Sequence, residues 1–144
     1  MYDTILVATD SSEEARAALD HAVELAAFAD AVVHVVTVLD TDRSPFSFDV
    51  GDVEDLHTAA SELVEEIVEA HGVRDVELTG DVRRGKPANT LLDYAREVDA
   101  DLIVVGQRGD DGVAGAILGS TTDRLARLTD IPLVIVPASE RPDQ

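Results

Sequence analysis

The chain has 144 residues, 45% of them hydrophobic, and carries 30 acidic against 11 basic side chains for a formal net charge of −19. That length and hydrophobic content predict one domain able to bury roughly 70% of the surface its unfolded chain exposes, and the lack of cysteine excludes disulfides, thiolate metal sites and cysteine nucleophiles. The same charge argues against a nucleic-acid partner, because no basic stripe neutralises phosphates and only two tyrosines and three phenylalanines could stack on bases. In chain order, TILVAT (4 to 9) is an apolar run suited to a buried strand. After it, Ser11 or Ser12 can cap a helix whose apolar stripe is Ala15, Ala18, Leu19, Ala22, Ala26 and Ala29. AVVHVVTVL (31 to 39) is too β-branched for anything but a second strand, and TDRSPFSFDVGD then reads as a surface loop.

A second helix is expected with Leu56, Ala59, Ala60, Leu63, Val64 and Ile67 inward, ending at His71 and Gly72, and a third strand at about 76–82. The third helix follows Gly85, takes Pro87 into its first turn and turns Ala88, Leu91, Leu92, Ala95 and Val98 inward. DLIVVG is the fourth strand, residues 120–129 a shorter helix and PLVIVP the fifth strand. Strict alternation of apolar strands and helices predicts an α/β domain over 1–138 with a mainly parallel sheet and a short polar tail at 139–144. In such sheets ligands bind beyond the carboxyl ends of strands, where the strand order reverses. MYDTILVATD has neither a basic start nor an apolar stretch before a cleavage site, and no apolar run approaches the roughly 20 residues of a membrane span, so the expected setting is cytoplasmic with no membrane partner.

Two motifs carry chemistry, and only one survives inspection. GDVRRGKP, Gly80 to Pro87, is one residue short of a phosphate loop: proline stands where a Mg2+-holding hydroxyl is needed, and Gly80 falls inside the expected strand. The second is VVGQRGDDGVAGAILGSTTDRL, with the pattern G-x2-G-x9-G-S through Gly106, Gly109, Gly119 and Ser120. Gly106 and Gly109 would let main chain approach a ribose or phosphate, while Gly119, Ser120 and Thr121 would offer donors at a positive helix end; a plain loop with a serine-capped helix fits the same spacing. The histidines His21, His34, His57 and His71 lack metal-ligand pairing and read as packing or surface residues. No Ser-His-Asp set is nominated by spacing, and no general base is identified.

ILVATDSSEEARAALDHAVELA, GKPANTLLDYA and DLIVVGQRG(x9)GSTTDRLARLTDIPLVIVP together resemble the universal stress protein family, across essentially the whole chain, and the glycine spacing is that of its ATP-binding branch. The resemblance implies a single-domain, Rossmann-like, five-stranded parallel sheet in the order 3-2-1-4-5 with four helices on both faces, and a site between the ends of strands one and four. It implies that Ala8, Thr9 and Asp10 lie near the nucleotide and that the main chain of Val38 meets the adenine. Val105, Gly106 and Gly109 fall on the ribose and phosphate side, and Gly119, Ser120 and Thr121 in the phosphate-holding turn. Asp10 also reads as a helix cap.

The ligand so implied is ATP, or AMP or ADP, with Mg2+ as the accompanying cation, acting as a structural or regulatory state in a stress response. A slow ATP hydrolase or adenylyl-transfer enzyme, or a dimeric interaction protein without nucleotide, are the alternatives. Family members pair the last strand, here 132–136, with its copy, which implies a homodimer; a further protein partner is unknown. Gln107 and Asp110-Asp111 depart from the family loop, and Arg108 is its one positive side chain. Concentrated salt, where the Debye length falls to about 3 Å at 1 M, would screen a charge of −19, so a halophilic setting is expected.

Overall fold

Apolar, β-branched runs become strands and pair in parallel. β1 (Thr4–Ala8), β2 (Val32–Asp40), β3 (Leu78–Gly85), β4 (Leu102–Gly106) and β5 (Leu133–Val136) form one sheet in the order β3-β2-β1-β4-β5. The computed structural model describes residues 2–9, 13–40, 76–107 and 120–137, together with helical positions Thr58, Ser61, Glu62, Glu65, Glu66 and Glu69. Three helices are described in full: α1 (Glu13–Ala29), α2 (Pro87–Glu97) and α3 (Ser120–Leu128). Four were expected. The six isolated helical positions fall in the expected second helix and are exposed or half-exposed, while its inward stripe from Leu56 to Ile67 and its end at His71 and Gly72 lie outside the described residues.

Both faces of the sheet are covered, which is why its strands are apolar throughout rather than alternating. On one face α1 buries Ala18, Leu19, Ala22, Val23 and Ala26 against Ile5, Val7, Val33, Val35 and Val104. On the other, Ala88, Leu91, Leu92 and Ala95 of α2 and Leu125 of α3 pack on Leu6, Val36, Ile103 and Val105. The expected inward residues of α1 and α2 are therefore in place, with Ala29 and Val98 half-buried at the helix ends. α1 and α2 are followed by aspartates in the left-handed region, Asp30 at φ 60 and Asp99 at φ 55. The next residue closes each turn back onto the helix, Ala31 N–H to Ala26 C=O at 3.0 Å and Ala100 N–H to Ala95 C=O at 2.9 Å. Asp101 then ties the two central strands together, its Oδ2 accepting the Asp3 and Thr4 amides at 2.8 and 3.1 Å.

β3 runs later than the expected 76–82. Its partner β2 extends to Asp40, so Arg83, Arg84 and Gly85 find main-chain partners opposite Val38, Leu39 and Asp40 and the strand continues through them despite their charge. Gly80 accordingly lies within β3, Lys86 is the N-cap of α2 and Pro87 stands in its first turn, which is incompatible with a phosphate loop at GDVRRGKP.

Candidate functional site

Strand order reverses at the middle of the sheet. From β1 the chain moves outward to β2 and β3, then returns across the sheet to β4 on the other side of β1 and moves outward again to β5. In an open parallel sheet, such a reversal marks the carboxyl ends of β1 and β4 as the place for a ligand crevice. Ala8 ends β1 half-buried, and Thr9 follows it, buried. Val105 is buried and Gly106 closes β4.

The β2 side of the crevice has a hydrogen-bonding character set by the ladder. In a strand, alternate residues direct their N–H and C=O to the same neighbour. The Val32 amide donates to Asp3 C=O at 3.0 Å and Val36 C=O accepts from the Thr9 amide at 2.9 Å, so the even-numbered residues of β2 face β1. Val38 is next in that series. The β1 pairing ends with Ala8 opposite Val36, and among the described residues no β1 partner stands opposite Val38. Its N–H and C=O are a donor and an acceptor directed over the end of β1, beside a half-buried apolar side chain.

The β4 side presents a helix end. Thr122, in the first turn of α3, donates its hydroxyl to Gly106 C=O at 2.9 Å. The Gln107 amide donates to Val136 C=O at 2.8 Å, which keeps the exit from β4 against β5. These bonds bring Ser120 and Thr121, the first two residues of α3, to the edge where β1 and β4 end. The leading amides of a helix have no intrahelical acceptor and sit at the positive end of its dipole.

Seven of the ten residues expected at the site, Ala8, Thr9, Val38, Val105, Gly106, Ser120 and Thr121, are thus carried to this one edge of the sheet. Asp10, Gly109 and Gly119 lie outside the described residues, as do Arg108, Asp110 and Asp111. Two residues were missed. Thr37 donates its hydroxyl to Thr9 C=O at 3.2 Å from the α1 face, as Thr122 does to Gly106 from the other. Apart from the Tyr94 phenol, the buried polar side chains among the described residues are Thr9, Thr37 and Thr122, and all three lie at this edge. A hydroxyl residue inside AVVHVVTVL, where every neighbour but His34 is apolar, was the available signal for Thr37.

A second polar cluster lies lower on the sheet. Arg83 is the register partner of Val38, yet its guanidinium turns away from the crevice: Nε meets Asp81 at 3.0 Å, the two terminal nitrogens meet Glu97 at 3.0 and 3.2 Å, and the group stacks 4.7 Å from the centre of the Tyr94 ring. The bidentate bond to Glu97, with Asp81 behind it, holds Arg83 firmly protonated against the opposing effect of burial. Burial and the Asp81 charge raise the Tyr94 phenol, with Arg83 opposing. Burial also lowers the His34 imidazole, against the pull of Glu77 and Asp81. Arg83 is consequently a structural cation. His21 is exposed, His57 and His71 lie outside the described residues, and among the described residues no cluster of three or more potential metal ligands occurs.

The sequence profile described as "Universal stress protein family" matches residues 1–137. The chain belongs to the universal stress protein family. Its relatives in that family include a universal stress protein of Methanocaldococcus jannaschii, 30% identical over 149 aligned positions that cover 94% of this chain and 82% of the relative. Among solved structures, the universal stress protein UspA from Lactobacillus plantarum superposes with a TM-score of 0.82 at 25% identity, covering 94% of this chain and 97% of that one. A universal stress protein in complex with cAMP superposes with a TM-score of 0.75 at 27% identity, covering 96% of this chain and 99% of that one. The sheet order of this family member is the one its sequence resemblance implied. No described helix is long and apolar enough to cross a membrane.

Proposed function

We propose that this universal stress protein binds an adenine nucleotide, ATP foremost, in the crevice over the ends of β1 and β4, and that the bound nucleotide is a structural or regulatory state in a cytoplasmic stress response. The observation that carries the reading is the pairing of unlike recognition elements across one crevice. On the β2 side, the Val38 N–H and C=O match the acceptor N1 and donor N6 on adenine's Watson–Crick edge. On the β4 side, the amides opening α3 face the phosphates, held there by the Thr122 bond to Gly106. The relative with bound cAMP supports the ligand class.

In this reading Ala8, Thr9 and Asp10 flank the nucleoside, Val105, Gly106 and Gly109 the ribose and phosphates, and Gly119, Ser120 and Thr121 the phosphate end. These residue types fit the ligand, since donors and glycines dominate the phosphate side; Mg2+ would be carried on the phosphates and supply charge neutralisation there. The working form is a homodimer joined through strand 132–136, in concentrated salt.

Chromatography of the supernatant from denatured, freshly purified protein tests for retained nucleotide, and calorimetry with Mg2+-ATP and Mg2+-GTP in molar KCl tests selectivity. ATP binding in preference to GTP is expected, with weaker ATP binding in Asp10→Ala than the cost of a lost helix cap, about 1 kcal/mol of stability, would explain. Absence of binding to any adenine nucleotide overturns the proposal. Product formation at enzyme excess would move it to a slow hydrolase.

A further inference from the structure

Among the three buried threonines at the crevice edge, two share a feature that the nucleotide reading alone does not require. Both are spent on main-chain carbonyls: Thr37 on that of Thr9 and Thr122 on that of Gly106. A peptide carbonyl is the negative end of its dipole and has two lone pairs, so one left facing an anion opposes its binding. In a helix, a threonine hydroxyl ordinarily returns to a carbonyl three or four residues earlier. Thr122 is the third residue of α3 and has no helical residue three or four positions before it; its hydroxyl reaches 16 residues back, across to the end of β4, and the residue is 4% exposed.

From this geometry we infer that Thr122 is a positioning residue for the anionic part of the ligand: its hydroxyl occupies the Gly106 carbonyl and fixes the opening turn of α3 against β4, so that amides rather than a carbonyl border the phosphate space. The inference rests on the proposed nucleotide site and adds a residue to it that touches no ligand. Its consequence is selective. The contribution is to phosphate, so ATP affinity depends on the hydroxyl and adenosine affinity does not.

The test is calorimetric titration of wild type, Thr122→Val, Thr122→Ala and Thr122→Ser with Mg2+-ATP and, separately, with adenosine, in molar KCl, after thermal melts have set a temperature at which each is folded. Valine keeps the shape and removes the donor; alanine removes the same donor with a smaller side chain, so that a packing failure of valine does not decide the result. Valine and alanine are expected to lose about tenfold in ATP affinity while changing adenosine affinity less than twofold, and serine, which restores the donor, to bind ATP nearly as wild type does. Equal ATP affinity in all four proteins overturns the inference, as does a parallel loss for adenosine or a serine variant as weak as valine. In each of those outcomes wild type still binds and the nucleotide reading stands. A wild type that binds neither ligand overturns both.

Discussion

The Nδ1 of His34, on β2, lies 3.1 Å from the hydroxyl of Tyr94, on α2, with the two rings edge to face and their centres 5.8 Å apart. This contact couples the helix to the sheet through an imidazole whose pKa burial lowers, and a pKa that differs between the folded and unfolded chain links stability to pH.

Burial lowers the His34 pKa in the folded state below its unfolded value of about 6.5, against Glu77 and Asp81, with the Tyr94 hydroxyl beside the ring. Above about 6.5 the imidazole is neutral in both states and contributes no pH dependence. As pH falls below that value the unfolded chain takes up the proton first, so stability declines until pH passes the folded pKa. Thermal melts between pH 7.5 and 5.5 are expected to fall more steeply for wild type than for His34→Gln, which keeps a hydrogen-bonding group for Tyr94. Parallel curves would mean that His34 titrates alike in both states.

Gly85 ends β3 at φ +144, and a Cβ placed on it would stand 2.6 Å from the Thr90 hydroxyl. Two separate costs follow, one of backbone conformation and one of contact. Gly85→Ala is expected to lose about 2 kcal/mol in urea denaturation. Adding Thr90→Ala relieves the contact and not the φ, so the double variant should be less destabilised than the sum of the single ones. An unchanged midpoint for Gly85→Ala would show that the turn can relax.

The net charge of −19 sets the third expectation. Raising KCl from 0.1 to 1 M shortens the Debye length from about 10 Å to about 3 Å and removes most of the repulsion between surface carboxylates. The melting temperature is expected to climb over that range in scanning calorimetry, and a flat or falling curve would remove the case for a halophilic protein.

β5 is the edge strand next to β4, and all four of its residues remain half-buried in the single chain. An apolar edge of this kind invites pairing with another strand, and a two-fold axis would close it with its own copy. Sedimentation in molar KCl at micromolar concentration is expected to give a dimer. A monomer there would leave β5 as an uncovered edge.

The chain's own pattern was enough for the class of the fold. Each strand is a local run of β-branched residues, each helix a local stripe, and both are visible without knowing what they pack against, as Ala15, Ala18, Leu19, Ala22 and Ala26 illustrate. The order of the sheet came from family resemblance, and the edge of the sheet where Ala8, Gly106 and Ser120 meet followed from that order. Tertiary structure decided what depends on distant partners. β3 reaches Gly85 because β2 offers main chain that far, although Arg83 and Arg84 are poor strand formers by composition. Tyr94 is buried because its hydroxyl finds His34, 60 residues earlier, and its ring finds Arg83. Thr37 and Thr122 read as ordinary hydroxyl residues until Thr9 and Gly106 are brought beneath them. A local pattern reports burial along one element, because periodicity is a property of consecutive residues; a hydrogen bond between elements needs two positions fixed in space, and only the packed sheet supplies both.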